Sequence, residues 1–200
     1  MTRSQRERLL AAVVRVTTAQ GYESTTVGDI LGEAGVGRES FYELFEDKLD
    51  CMLAAHKILV DNLEEQVRQA YGQPGPWPGR VRGALSVTLD WFAADPEAAR
   101  FTLIELSTVG PAFRAIFRAE YSRFIELLDE GLENEGPDPE LARATDLALG
   151  AILARIYEEV VLGRAEELPR LLPDLTYVLL VPFVGEAAAR TEQKRAAGPS

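Results

Sequence analysis

The chain has 200 residues, with one cysteine and one histidine, and its 21 Lys and Arg against 32 Asp and Glu give a formal net charge of -11. That length suits one or two domains with a substantial core. Because Cys51 is the single cysteine, an internal disulfide is excluded, and because His56 is the single histidine, a His-rich metal site is excluded. No metal or other cofactor is therefore expected. The charged N-terminus and the short apolar runs predict neither a secretory signal nor a membrane span, and therefore a soluble, cytoplasmic protein.

The first three predicted helices form a recognisable pattern. Apolar residues repeat at helical spacing through residues 4–20, and Gly21 ends this helix. Thr26 is a good N-cap for a second short helix. Gly35 supplies the left-handed conformation that lets the chain turn steeply into a third helix, which starts at Arg38. This is the helix-turn-helix pattern, whose second helix enters the DNA major groove. A helical hairpin inside a larger bundle is the alternative interpretation.

Polar residues in this segment suit a nucleic-acid surface. Arg38 and Ser40, at the start of the third helix, are expected at base edges, and Tyr42 and Lys48 are expected at phosphates. Residues 1–50 hold six Lys/Arg and nine Asp/Glu, a net charge of -3, so few phosphate contacts and weak non-specific binding are expected. The complete predicted DNA-binding set is Arg3, Thr26, Arg38, Glu39, Ser40, Tyr42 and Lys48.

The remainder of the chain also shows helical periodicity and no strand pattern, so the predicted fold class is all-α with about nine helices. A fourth helix is expected from about Asp47 to Tyr71, and the proline- and glycine-rich segment 72–79 is a linker. Helices are then predicted at about 80–94, 97–108, 112–134, 139–162 and 167–190. The expected domains are 1–48 with the helix-turn-helix and 49–190 with the remaining helices, followed by a disordered tail at 191–200.

Aromatic residues are concentrated after the linker. Phe117 and Tyr121 belong to one stripe of a single helix, which suits either ordinary core packing or the wall of a ligand pocket. Glu105 and Arg155 lie in apolar surroundings, where they pair with each other, contact a polar ligand group or have a structural role. The predicted ligand-binding residues are Trp91, Phe101, Glu105, Phe117, Tyr121 and Arg155.

The last two long helices carry small or apolar residues on their faces. These residues either complete the core of one subunit or form an interface between two subunits. The predicted interface residues are Ala144, Ala148, Ala151, Ile152, Leu175, Val178, Leu179 and Phe183.

The first fifty or so residues resemble the DNA-binding domain of the tetracycline-repressor (TetR) family of transcription regulators. The matching features, in order and spacing, are Ala12, Gly21-Tyr22, Thr25-Thr26-Val27, Ile30, Ala34-Gly35-Val36, Ser40, Phe41, Tyr42, Phe45 and Lys48. The chain departs from the family pattern at Thr17, Gly28 and Leu44, and Glu39 and Glu43 add negative charge to the recognition helix.

This resemblance implies a ligand-responsive transcription regulator, more a repressor than an activator. It would bind a palindromic operator in double-stranded DNA as a homodimer, paired through its last two helices. A lipophilic small molecule, bound in a pocket formed by the helices that follow the linker, would release it.

Two other classes of protein are weighed against this regulator. In a helical enzyme, Cys51 and His56 would be the nucleophile and base, but five residues of one helix place them about 140° apart around its axis. The other class is a regulator-like helical protein that acts through protein partners without binding DNA, which the acidic head segment would suit.

Overall fold

The computed structural model describes residues 4–129 and 139–198, and every regular element within these ranges is a helix, so the all-α prediction is confirmed. Contacts divide the chain into two compact units. The head unit comprises residues 1–62 and 97–115, and the body unit comprises residues 63–96 and 116–200. The α-helices are α1 Gln5–Gln20, α2 Val27–Ala34, α3 Arg38–Tyr42, α4 Lys48–Tyr71, α5 Trp77–Ala94, α6 Pro96–Arg100, α7 Pro111–Asp129, α8 Pro139–Val161 and α9 Leu172–Ala196.

Local sequence signals fix the first two helices of the head unit. Ser4 caps α1 and Thr26 caps α2, in each case through a reciprocal capping box with the acidic residue three positions later. Both helices end at glycines with positive φ, Gly21 (82°) and Gly35 (60°). The apolar faces of α1, α2 and α3 bury a small core that includes Leu9, Ala12, Val13, Ile30 and Phe41, all fully inaccessible to solvent.

The segment after α6 differs from the α-helix predicted at 97–108. Phe101–Glu105 forms one turn of π-helix, and Leu106–Val109 forms a 3-10 helix. The hydroxyl of Thr102 donates to the carbonyls of Ala98 and Ala99 at 2.8 and 3.1 Å, and so competes with the regular backbone ladder. This segment belongs to the head unit, which therefore contains residues far beyond the predicted 1–48 domain.

The last helix of the body unit reverses direction. Gly185 has φ 72° and ψ 170°, a conformation that only glycine adopts easily. The amide of Gln193 donates to Asp174 at 3.1 Å, and Arg190 lies 5.2 Å from the ring centroid of Tyr177. In a straight helix, nineteen residues would separate Asp174 from Gln193 by about 28 Å. Residues 172–184 and 186–196 therefore form a helical hairpin.

This hairpin corrects the prediction of a disordered tail at 191–200. Glu192 is buried and pairs with Arg82 of α5 at 2.9 Å and with Arg195. These ion pairs hold the final helical turns, so the chain is helical to Ala196. Within the described residues, the segment 165–196 is long and apolar enough by composition to span a membrane. The 3-10 helix at Ala165–Leu171 and the reversal at Gly185 leave continuous α-helix only at 172–184 and 186–196, each too short to do so.

Candidate functional site

Helices α2 and α3 of the head unit form the helix-turn-helix. Gly35 ends α2 in the left-handed conformation, with φ 60° and ψ 42°. Arg8 of α1 donates to the Gly35 carbonyl at 3.3 Å, which satisfies a backbone acceptor at the turn. A second link between α1 and α2 is the ion pair of Arg15 with Glu33 at 2.6 Å. These contacts hold α2 and the turn on α1.

The start of α2 is held by Thr26 and Asp29. The Thr26 hydroxyl donates to the Asp29 carboxylate at 2.7 Å and accepts from the Asp29 amide at 3.2 Å. The hydrogen bonds from Thr26 lower the pKa of Asp29 from its ordinary value, and they outweigh the opposing effect of desolvation. Thr26 was predicted as a DNA contact, and the structure gives its hydroxyl this capping role while leaving the residue exposed.

The third helix presents most of its surface to solvent. Phe41 is fully buried and packs against Phe45 at 5.6 Å between ring centroids. Arg38 and Glu39 are exposed, Ser40 is half-buried, and Tyr42 is 51 % exposed. These four predicted DNA-binding residues therefore lie together on one short helix with accessible side chains. Arg3, the first residue of the predicted set, lies outside the described residues.

Lys48 has a role that the sequence did not predict. Its ammonium donates to the carbonyls of Tyr22 and Thr25, each at 2.8 Å, and lies 4.2 Å from the ring centroid of Tyr22. Lys48 thus joins the start of α4 to the loop between α1 and α2. An ammonium has three donors, and two of them serve the fold here.

We expect the Lys48→Met substitution to destabilise the head unit by about 1.5–3 kcal/mol, because it removes a charged donor from two partly buried carbonyls. Chemical denaturation measures this loss. Lys57→Met is the matched control, since Lys57 is exposed and pairs with Asp61 of its own helix. Equal stability of the two variants would show that the Tyr22 and Thr25 contacts contribute nothing.

A comparison of the sequence with models of known protein families also identifies the helix-turn-helix segment. Residues 9–55, which contain α2, α3 and the Lys48 contact, match the family model of the bacterial regulatory proteins, tetR family. The N-terminal domain is a TetR-family domain. The match covers about a quarter of the chain and includes both helices of the helix-turn-helix.

Solved structures of bacterial transcription regulators share the fold of most of the chain. FadR of Bacillus halodurans, a fatty acid degradation regulator, is 20% identical, with a TM-score of 0.79 over 92% of this chain and 99% of that one. FadR of Bacillus subtilis, solved in complex with stearoyl-CoA, is 19% identical, with a TM-score of 0.75 over 86% and 96%. A TetR-like regulator of Rhodococcus sp. RHA1 is also 19% identical, with a TM-score of 0.75 over 92% and 99%. At these identities the likeness shows the fold.

The predicted ligand-binding aromatics are divided between the two units. Phe101 is fully buried in the head unit. In the body unit, Trp91 packs edge-on against Phe92 at 5.1 Å, and Phe117 stacks on Tyr121 at 6.2 Å. The Tyr121 hydroxyl donates to the Asp146 carbonyl of α8 at 2.8 Å, and burial is the main cause that raises its pKa to about 12. The half-buried residues of the body unit are the accessible part of this set.

A shallow, open surface cleft with a cavity volume of only about 10 Å³ lies between α4 and α7 of the body unit. Its lining continues the aromatic stripe of Phe117 and Tyr121 by one further turn, and it includes an ion pair of Arg123 with Glu64 at 2.6 Å. The lining residues are Glu64, Val67, Arg68, Arg123 and Phe124.

Glu105 and Arg155 do not pair with each other. Glu105 is buried in the head unit and pairs with Arg100 at 3.2 Å. Arg155 lies in the body unit and contacts Glu158 at 2.7 Å and the buried Glu159, which Arg164 also binds. Hydrogen bonding from Arg164 is the largest cause that lowers the pKa of Glu159. Both charges are compensated inside their own units, which corresponds to the structural role considered for them.

Half of the predicted interface residues are buried within the chain itself. Ala148, Ile152, Leu175 and Leu179 belong to its own core, and Phe183 packs against Trp77 at 5.4 Å between ring centroids. These positions complete the body unit, which was the alternative left open. Of the other predicted positions, Ala144 is half-buried, whereas Ala151 and Val178 are exposed.

Among the predicted interface residues of α8, only Ala151 lies on the exposed face of the helix. Leu147 is 74 % exposed and Val161 is 47 % exposed, with the exposed Ala151 and Ala154 between them. Their spacing of four, three and seven residues keeps all four on a single helix face. The prediction relied on the small residues at 144 and 148, which lie toward the buried side of the helix. The high exposure of Leu147 was not predicted.

Proposed function

We propose that this protein is a ligand-responsive transcriptional repressor that binds a palindromic operator as a homodimer. The observation that carries the proposal is the helix-turn-helix of residues 27–42. It lies within the segment that matches the tetR family model, and its second helix, α3, is exposed. Such a helix enters the major groove and reads base edges from its N-terminal residues. The protein would act on DNA in the cytoplasm as a soluble protein, which its likeness in fold to DNA-binding regulators supports.

The exposed face of α8 supports the homodimer. Leu147, Ala151, Ala154 and Val161 form an apolar stripe on α8 of the body unit, with the exposed Glu158 between the last two, and Val178 of α9 is 41 % exposed. Contiguous exposed apolar surface marks protein–protein contact sites. A two-fold pair of α8 helices would cover this stripe and place two recognition helices on symmetric half-sites.

A lipophilic small molecule is the proposed signal, and the acyl-CoA thioesters are the first class to test. FadR of Bacillus subtilis, which shares the fold, was solved with stearoyl-CoA. In the body unit, the half-buried Trp91, Phe117, Tyr121 and Phe124 supply aromatic surface for an acyl chain. The arginines beside the cleft, Arg68 and Arg123, are suited to phosphate groups.

Operator binding is tested by selecting DNA from a random duplex pool with the full chain, then measuring affinity by fluorescence anisotropy. We expect Arg38→Ala to relax base preference and weaken the selected site about tenfold, because Arg38 is an exposed donor on α3. Arg114→Ala, at an exposed arginine of α7, is the control and should bind like the parent.

If the pool yields no enriched sequence with the parent protein, DNA binding is wrong and the partner-protein alternative is favoured. If a sequence is enriched but Arg38→Ala and Arg114→Ala both bind it like the parent, then α3 does not dock as proposed.

A further inference from the structure

The outward face of α3 is centred on a carboxylate. Phe41 marks the inward face, since it is fully buried. Glu39 precedes Phe41 by two residues, so at 100° per residue it lies about 160° around the helix from the core. Arg38 precedes it by three residues and lies only about 60° from the core direction. Glu39 therefore lies at the centre of the outward face, and the exposed Arg38 lies at its edge.

The Glu39 carboxylate accepts no hydrogen bond and forms no ion pair among the described residues, unlike several carboxylates of the head unit. Glu7 and Asp29 complete the capping boxes of α1 and α2, and Glu33 pairs with Arg15 at 2.6 Å. No described side chain donates to the Glu39 carboxylate, which is exposed. Its position in the first turn is mildly favourable for the helix, since the N-terminal end of a helix dipole attracts negative charge.

A carboxylate in the major groove needs a donor. It only accepts hydrogen bonds, and the phosphates on either side repel it. Among base edges in the major groove, the N4 amino group of cytosine and the N6 amino group of adenine are the donors. Adenine also presents its N7 acceptor beside N6, which a carboxylate cannot satisfy, whereas cytosine presents the donor without an adjacent ring acceptor.

We propose that Glu39 determines operator specificity by accepting a hydrogen bond from the N4 amino group of a cytosine in each half-site. This inference rests on the proposed DNA-binding function and names one base that the function must read. It also accounts for an acidic residue at the centre of a surface that otherwise has to approach phosphates.

The test is to repeat the selection from a random duplex pool with the Glu39→Gln and Glu39→Ala variants of the full chain. A glutamine amide donates and accepts, and so pairs with adenine N6 and N7. We expect Glu39→Gln to change one half-site position from cytosine to adenine. We expect Glu39→Ala to lose discrimination at that same position by about five- to a hundredfold, with other positions unchanged.

Glu46→Gln is the matched control, because Glu46 is an exposed carboxylate of the same unit and lies beyond the end of α3. It removes the same charge and should leave every base preference unchanged. Thermal unfolding of each variant is measured in parallel, since loss of a favourable first-turn carboxylate lowers the Tm without moving any preference.

Unchanged preferences in Glu39→Gln would overturn the proposal, and so would a uniform gain in affinity shared by Glu39→Gln and Glu46→Gln, which would show simple repulsion from phosphates. Failure of the parent protein to enrich any sequence overturns the proposed DNA-binding function itself. These results are distinguishable, because only the last of them concerns the parent protein.

Discussion

The Leu147→Glu substitution is expected to convert a dimer into a folded monomer. Leu147 is 74 % exposed in the single chain, so a charge there leaves the body unit itself undisturbed. In a two-fold interface through α8, the same charge would lose its hydration without gaining a partner. That costs about 3–5 kcal/mol, which raises the dimer Kd by more than about a hundredfold. Sedimentation equilibrium at micromolar concentration measures the change.

Ala119→Glu is the matched control for this substitution. It adds the same charge at an exposed position in the middle of α7, also in the body unit. We expect this variant to stay dimeric, and circular dichroism should show both variants to be as helical as the parent. A parent that is monomeric at micromolar concentration, or a Leu147→Glu variant with the mass of the parent dimer, would contradict an interface on α8.

Loss of dimerisation should also weaken operator binding. A monomer reaches one half-site, whereas a dimer gains the second contact at the high effective concentration set by its own structure. Leu147→Glu should therefore bind a single half-site like the parent and the full palindrome far more weakly than the parent. If the parent and Leu147→Glu bound the full palindrome with equal affinity, dimerisation would contribute nothing to operator binding.

The helix-turn-helix of the head unit could be predicted from the sequence because its signals are local. Thr26 as an N-cap and Gly35 in the left-handed conformation determine where α2 begins and ends, and the structure has both. A capping hydroxyl or a glycine with positive φ acts within a few residues, so it leaves a pattern in the chain itself. Lys48 shows the limit, because its two carbonyl partners are more than twenty residues away.

The body unit was harder to predict because its signals are distant. Which face of α8 is buried depends on contacts between helices, and a helix with apolar residues on both faces does not reveal the inward one. Leu147 and Ala148 are neighbours in sequence, yet one is exposed and the other is in the core. The hairpin at Gly185 is similar, since its evidence is the bond between Gln193 and Asp174, which only the folded chain brings together.

The structure also shows which charged residues form structural ion pairs, which the sequence alone did not reveal. Glu105 and Arg155 were both possible ligand contacts because each lies in an apolar stretch. Each has a nearby opposite charge, Arg100 for the first and Glu158 for the second, at three to five residues along the chain. Helical spacing makes such local pairs common, so a charge in an apolar stretch indicates a site only when no partner lies one turn away.

Stearoyl-CoA is expected to release the protein from its selected operator. An acyl chain buried against the aromatic residues of the body unit gains roughly 0.8 kcal/mol for each methylene removed from water. Coupling between two binding sites of this kind is typically 1–3 kcal/mol, so operator affinity should fall about 5–150-fold at saturating ligand. Fluorescence anisotropy of labelled operator measures the release, with free CoA as the control that lacks the acyl chain.

Tryptophan emission reports whether the ligand binds where we propose. The chain has two tryptophans, so Trp77→Phe isolates the signal of Trp91, and phenylalanine keeps an aromatic ring against Phe183. In this background we expect stearoyl-CoA to shift or quench the emission of Trp91, which is half-buried. In the converse variant, Trp91→Phe, the signal should disappear while release from the operator persists.

Phe117→Asp should then abolish the response while leaving operator binding intact. Phe117 is half-buried and stacked on Tyr121, so a carboxylate there opposes an acyl chain without reaching α3, which lies in the other unit. Ala119→Asp places the same charge two residues away at an exposed position of α7 and should respond like the parent. If stearoyl-CoA releases Phe117→Asp from the operator as readily as Ala119→Asp, the acyl chain binds elsewhere. If free CoA releases the parent protein as readily as stearoyl-CoA does, the apolar surface does not recognise the signal.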